Sequence, residues 1–557
     1  MNGRGKRKNV EIEADEIFAD SSNIPEFDTD RFEGRVERPL PQKTFLFVGI
    51  FVILLLGAYL ARAWDLQIKN GALYAARAEA NQLSRAIIFA DRGIIYDRTG
   101  RVLASNVRAD DSDFSQRVYA AFRGLAEVVG YAKPPAHDTS GTYFEEHSNG
   151  IIGAEAAFDT ELQGSNGARL TETNAVGKIV SESTVMPPQD GQDLHLSIDA
   201  AVSQGLYDSI AGRAQASKFI GGAGVMMDVH TGQIIAMVSY PEYSLQTMAD
   251  GTNTPAIAAL LTSKQLPFLN RSINAVYAPG SIVKPFVGVG ALAEGVIGEY
   301  TQILSTGSIS VPNPYDPAHP SIFKDWRAQG WVDMRNAIRV SSDVYFYEVG
   351  GGFGSQKGLG IDNINKYLRM FGFGQTTGLA GFTESAGNIP SPAWKAAVFP
   401  GDPWRIGDTY HTAIGQYGTT VTPLQAARAT AALANNGFLL TPTLLASSTP
   451  QGTQLSVPQH DLEVIREGMR MDVNEQGTAA AINVPFVNAA GKTGTAQTGT
   501  QNQYMNSWLI AFFPYEHPHY VIAIVLEKAP AGTLVGSPAA GYDFLTWLHQ
   551  NAPQYLQ

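Results

Sequence analysis

The stretch YAPGSIVKPF, residues 277–286, decides how the chain is read. Ser281 and Lys284 lie three apart, so on a helix they share one face. Pro285 suits a first helical turn, where its missing N–H costs nothing, and this sets the helix start near Ser281. The N-terminal amides and the positive end of the helix dipole then point at whatever reacts there. A serine hydroxyl needs an adjacent base to act as a nucleophile. A lysine one turn on supplies it when neutral, a state that burial and a neighbouring cation favour. Alone, Ser-x-x-Lys occurs by chance in most long chains as an exposed helix start.

Two more motifs follow in order. Ser341-Ser342-Asp343 opens SSDVYFYEV, which reads as helix with Val344, Phe346 and Val349 packing. Ser341 is suited to relay a proton between a lysine and a leaving group. GKTGTAQ, residues 491–497, reads as a strand. Lys492 offers a cation and Thr493 a hydroxyl to a substrate carboxylate. Gly494 lets a ligand lie against the backbone like an added strand. The amide of Thr495, with that of Ser281, suits an oxyanion hole. Each motif is weak by itself; the trio in this order is the set used by β-lactamases and penicillin-binding proteins.

Around the trio the chain reads as one large α/β domain from about residue 200 to the end. AGVMMDVHTGQIIAMV (223–238) is a hairpin turning at His230-Thr231-Gly232. WLIAFF (508–513) and YVIAIVL (520–526) form another, turning near Pro518. Helical patterns lie between, so an antiparallel sheet with helical layers is expected. GGGFGSQKGLG (350–360) lacks the order of a phosphate loop and reads as a plain loop.

Upstream, TFLFVGIFVILLLGAYLA (44–61) carries no charge and spans roughly 27 Å as a helix, enough for a bilayer core with its flanks. Tyr59 and Trp64 suit the interface, and Lys43 and Arg62 bracket the span. The long polar stretch before it argues for an uncleaved anchor rather than a signal peptide. Arg31, Arg35, Arg38 and Lys43 outweigh Arg62, Lys69 and Arg77 only slightly, which favours a cytoplasmic N-terminus. Residues 62–81 read as helix. In ADRGIIYDRTGRVLASN (90–106) two short strands flank an Asp97–Gly100 turn. A helix is expected around Phe114 to Val129, a loop over 133–150, and short strands to about residue 196.

Composition narrows the classes. The 557 residues exceed one ordinary core. The net charge of −12 argues against a nucleic-acid binder. With no cysteine, disulfides, zinc–thiolate sites and thiol nucleophiles are excluded. His517 and His519 flank Pro518 in a turn, His230 is also a turn residue, and no metal or cofactor is expected.

On these residues the chain resembles the class B penicillin-binding proteins, in particular the elongation-type group called penicillin-binding protein 2. The resemblance runs from about residue 44 to the end. It includes RGIIYDRTGRVLA, GIIGAEAAFDTELQGSNG (150–167), DVHTGQIIAMVSYPEYS (228–244) and AIGQYGTTVTPLQAARATAALANNG (413–437). It implies a cytoplasmic tail (1–43), a transmembrane anchor (44–63), a mainly β pedestal (64–199) and a serine acyltransferase domain of the penicillin-binding/β-lactamase type (200–557).

The implied activity is peptidoglycan D,D-transpeptidation in cell-wall elongation. Ser281 attacks the D-Ala-D-Ala carbonyl of a stem peptide, Lys284 acts as base and Ser341 shuttles protons. Asp343, Lys492, Thr493, Gly494 and Thr495 hold substrate. β-Lactams would inhibit, and the partners implied are a glycan polymerase of the SEDS family and elongation scaffold proteins. Asp343 stands where many relatives carry asparagine, which fits the elongation group. The pedestal between 105 and 150 looks short beside such relatives, which bears on partner contacts. A D,D-carboxypeptidase and a non-catalytic scaffold of the same fold are the alternatives. The scaffold's expected mark, a broken triad, is missing.

Overall fold

A computed structural model describes residues 42–80, 83–110, 112–173, 179–313 and 316–557. All but the last two residues of the expected N-terminal tail lie outside the described residues. The chain divides into two compact units, residues 1–84 with 171–181, and residues 85–170 with 182–557.

The first unit carries an α-helix over Gln42–Trp64, a π-helical turn at Asp65–Lys69 and a further helix over Gly71–Ala80. Lys43–Lys69 is long and apolar enough to cross a membrane, and its most apolar window is wholly unburied. Apolar side chains exposed on every face of one helix are stable only in a lipid-like medium. Arg62 pairs with Asp65 at 2.7 Å where the apolar run ends.

The second unit is built on a five-stranded antiparallel sheet. Its strands are β1 (Gly221–Asp228), β2 (Ile234–Tyr240), β3 (Ala490–Thr498), β4 (Tyr504–Phe513) and β5 (Tyr520–Pro530), in the order β2-β1-β5-β4-β3. The expected hairpins are therefore present. Asp228 accepts from the amides of His230 and Thr231 and closes the first turn. Seven helices matter below: α1 (Ala200–Ala216), α2 (Lys284–Ala293), α3 (Met334–Arg339), α4 (Asp343–Gly351), α5 (Pro423–Ala434), α6 (Gln459–Asn474) and α7 (Ser537–Asn551).

Both faces of the sheet are buried, with side chains alternating between two cores. Val225, Ile510, Phe512 and Val525 face one cluster with Phe286 and Leu424. Met226, Leu509, Ala511 and Ile524 face the other, with Leu206 and Ile210 of α1 and Phe544 of α7. Each fully buried side chain of this size contributes about 1.5–3 kcal/mol. Glycine sets how closely α1 approaches. A Cβ on Gly224 would lie 2.7 Å from Ile210, and one on Gly205 would lie 2.4 Å from the Trp547 ring.

The residues before the sheet are mainly β. Ile95–Tyr96 and Val102–Val107 pair across a turn in which Asp97 Oδ1 accepts from the amides of Thr99 and Arg101. The helix expected over Phe114 to Val129 is not there. Gln116–Tyr119 is a strand with alternating burial, and only Ala126–Val129 is helical. Arg117 and Tyr119 point inward and both reach the buried Glu155, a pairing that helical periodicity does not allow. Arg92 pairs with the same carboxylate at 2.6 Å. The stretch over 133–150 holds short paired strands rather than plain loop.

Candidate active site

Residues 280–283 form a 3-10 turn that runs directly into α2, with Pro285 in its first turn. Four segments hold this turn in place. Gly280 N donates to Gly415 O at 3.0 Å, and Tyr277 exchanges both backbone hydrogen bonds with Val421. Trp508 Nε1 on β4 donates to Ala278 O at 3.0 Å. Gly280 has a φ of +55°, and a Cβ there would lie 2.7 Å from Thr495 O. Ser281 is thus fixed against the backbone of Thr495, the pair of amides expected to serve one oxyanion.

Lys284 is fully buried at the floor of the site. Its Nζ donates to Asp343 Oδ1 at 2.6 Å, to Ser341 O at 2.8 Å and to Ser341 Oγ at 3.3 Å. Among the described residues no hydrogen bond joins it to Ser281. The second motif is not wholly helical. Ser341 has a φ of +55° and forms the hinge between α3 and α4, Ser342 caps α4, and Asp343 opens it. A left-handed serine costs roughly 1–2 kcal/mol. It turns both the hydroxyl and the carbonyl of Ser341 toward one ammonium group.

Lys492, Thr493, Gly494 and Thr495 lie on β3, the edge strand beside the turn. Gly494 lines the cleft and also meets protein on its other side. Its missing side chain admits protein, because a Cβ would lie 2.5 Å from Pro279 O and 3.0 Å from Ile282 Cγ2. Lys492 is fully buried and pairs with the equally buried Asp472 of α6 at 2.9 Å. Thr478 Oγ1 joins this pair and contacts Thr493 Oγ1. Burial pushes the Asp472 carboxyl up and the Lys492 ammonium down, while their contact pulls both back toward the charged forms. The Lys284 charge also disfavours the protonated Lys492.

Ser281, Ser341, Asp343, Thr493, Gly494 and Thr495 line one open cleft of about 1010 Å³. The structure therefore brings the three motifs together, with Lys284 and Lys492 buried beneath. Sequence reading missed Asp472 and Thr478, whose signal was an acid at the apolar end of α6. It also missed Gly415, which grips the nucleophile turn, and His411, a cleft residue packed on Phe323 and Tyr347. Burial pushes the His411 imidazole pKa down, so at neutral pH it stands uncharged.

A serine on a helix-start turn, a buried lysine one turn on and a Lys-Thr-Gly edge strand mark the serine acyltransferases of the β-lactamase and penicillin-binding kind. The Penicillin binding protein transpeptidase domain family matches residues 222–542, and the chain belongs to that family. The Penicillin-binding Protein dimerisation domain matches residues 109–196.

The chain is 28% identical to the peptidoglycan D,D-transpeptidase MrdA of Haemophilus influenzae, over 93% of this chain and 94% of that protein. It superposes on the Penicillin-Binding Protein (PBP2) of a complex with MreC from Helicobacter pylori. The TM-score is 0.70 and the identity 27%, over 84% of this chain and 99% of that one. A chain of a peptidoglycan synthase complex that coordinates polymerization and crosslinking gives a TM-score of 0.71 at 26% identity. It is matched over 90% of this chain and 98% of that one.

Proposed function

We propose that the protein is a membrane-anchored peptidoglycan D,D-transpeptidase of the elongation type. The observation that carries this reading is the buried Lys284, held by Ser341 and Asp343 beneath a cleft shared by Ser281 and the Lys492–Thr495 strand.

In the proposed cycle, Lys284 is the base that takes the proton of Ser281, directly or through Ser341, as Oγ attacks the penultimate D-alanine carbonyl. The amides of Ser281 and Thr495 stabilise the tetrahedral oxyanion. Collapse breaks the peptide bond, the proton passes by way of Ser341 to the departing D-alanine amine, and an ester on Ser281 remains. An acceptor amine from a neighbouring peptide then attacks the ester, gives up its proton and frees the serine. The acyl-enzyme keeps the energy of the broken peptide bond, so no nucleotide is needed. Thr493 and Thr495 bind the substrate carboxylate, and the Lys492 cation supports them from below.

We place the pedestal at residues 64–199 and the transpeptidase domain at 200–557, with the tail before the apolar helix in the cytoplasm. Partners of the same kinds as the relatives', a glycan polymerase and an elongation scaffold protein, follow from this reading. The MreC complex and the synthase complex of those relatives support it. The test is labelling of the detergent-solubilised chain with a fluorescent penicillin beside Ser281→Ala. A stable label lost in the variant is expected. A folded wild-type chain that takes no label, or a variant that keeps it, would overturn the assignment.

A further inference from the structure

The hinge at Ser341 needs an external hold. Its left-handed backbone is unfavourable for serine, and three of its atoms or neighbours must meet Lys284 at once. The hold comes from a segment outside all three motifs. The strands Ser308–Val311 and Ser321–Lys324 form a hairpin. Residues 324–326 run from its end along the start of α4.

Asp325 sits at the centre of this segment. Its Oδ2 accepts from Ser342 Oγ at 2.7 Å, from Ser305 Oγ at 3.0 Å and from Val344 N at 3.1 Å. Its Oδ1 accepts from Trp326 N at 2.8 Å, and its own amide donates to Gly307 O at 2.9 Å. The residues on either side complete the grip. Trp326 Nε1 donates to Val340 O at 3.1 Å, and Tyr347 OH donates to Lys324 O at 3.2 Å. The hinge is thus held on both sides, at Val340 before it and at Ser342 and Val344 after it.

A carboxylate that accepts from Val344 N also occupies the N-terminus of α4, where negative charge is favoured. No hydrogen bond joins Asp325 to Lys284 or Ser281 among the described residues. Asp325 also lines the cleft, and the contacts that tie it to the motif residues are those at the hinge.

We propose that Asp325 is a positioning residue for acylation: by fixing Ser342 and Val344 it holds Ser341 and Asp343 in register with Lys284. This rests on the reading of Ser281 as nucleophile. In the absence of that hold the hinge relaxes toward an ordinary serine backbone, and the Ser341 hydroxyl leaves the proton path.

The test is the kinetics of acylation of the full chain in detergent by a fluorescent penicillin. It separates the first-order constant at saturation from the half-saturating concentration. Asp325→Ala is expected to lower the first-order constant about tenfold to a hundredfold while binding changes little, the signature of misplaced groups rather than a lost contact. Asp325→Asn keeps one carbonyl oxygen for Ser342 and Val344 and is expected to recover most of the loss. The combination of Asp325→Ala with Ser342→Ala should cost less than the two separate losses together.

A folded Asp325→Ala chain that acylates at the wild-type rate overturns the proposal, as does a loss confined to the half-saturating concentration. Should Asp325→Ala fail to fold, Ser342→Ala decides: a folded Ser342→Ala chain that acylates at the wild-type rate overturns it. A wild-type chain that takes no label sinks the reading of Ser281 and this inference with it. A labelled wild type with unaffected variants sinks this inference alone.

Discussion

At the scale of single residues, the site depends on two buried lysines, each held by a carboxylate. For Lys492 the partner is Asp472, and both side chains are wholly buried. Removing one member of such a pair leaves an uncompensated charge, which costs about 3–5 kcal/mol. Asp472→Ala is therefore expected to lower the thermal midpoint of the solubilised protein as sharply as the truncation of a large core side chain. Ser341 offers the converse experiment. Ser341→Gly relieves the left-handed backbone by roughly 1 kcal/mol yet removes the hydroxyl beside Lys284. Thermal stability should hold or rise while acylation by penicillin falls. Parallel loss of both would mean that the hydroxyl is structural.

At the scale of elements, the site is a meeting of backbones. The turn at 280–283 touches β3 so closely that neither Gly280 nor Gly494 has room for a methyl group. In Gly494→Ala the added Cβ must push β3 away from Pro279. Acylation should drop by about a hundredfold, while the sheet, judged by circular dichroism, survives. Retained acylation would show that the strand yields without harm.

The elements most legible in sequence were those with a strong local period or turn. The 223–238 hairpin, the paired strands after residue 500, the long apolar helix before residue 64 and the helix start at Pro285 are all of this kind. Gln116–Tyr119 was misread because its pattern is short, and a distant Glu155 rather than its own neighbours draws Arg117 and Tyr119 inward. The motif residues were legible because their spacing carries chemistry. Asp472, Gly415 and Asp325 were not, since each acts on a motif 17 to more than 130 residues away in sequence, and no local pattern records such contacts. Gly494 was noticed for a need for close approach, and Pro279 and Ile282 are the protein groups that make one.

At the scale of the whole molecule, a buried acid, Glu127, and a half-buried one, Glu242, lie where the residues matched by the dimerisation family meet those matched by the transpeptidase family. Glu127 is pushed up to about 8, first by burial and then by Glu242, with Arg271 opposing. Glu242 is pushed up to about 7 by burial, against the Gly124 and Ala126 amides and Arg123, while Asp208 adds to the rise. Tyr131 and Tyr243 pack beside them.

An acid whose folded value is raised binds its proton more tightly in the native state. Stability then falls as pH climbs from the unfolded value near 4.5 through 7 to 8. The thermal midpoint should decline across that window, and Glu127→Gln should flatten the decline. An unchanged slope in the variant would place the titrating group elsewhere.

The strand order has a consequence for how the protein comes into being. β1 pairs with β5, so that Gly224 lies opposite Ile524. The hairpin that starts the sheet is made early and keeps an unpaired apolar edge until nearly the whole chain has been delivered. Contacts this far apart in sequence close slowly. Thr495 and its strand are also among the last parts to arrive. A ribosome-bound or truncated chain ending before residue 520 therefore holds Ser281 and Lys284 but lacks β5, the strand that joins the two halves of the sheet. Birth of the enzyme is a single late event, and until then the growing polypeptide depends on whatever shields an open β edge from its neighbours.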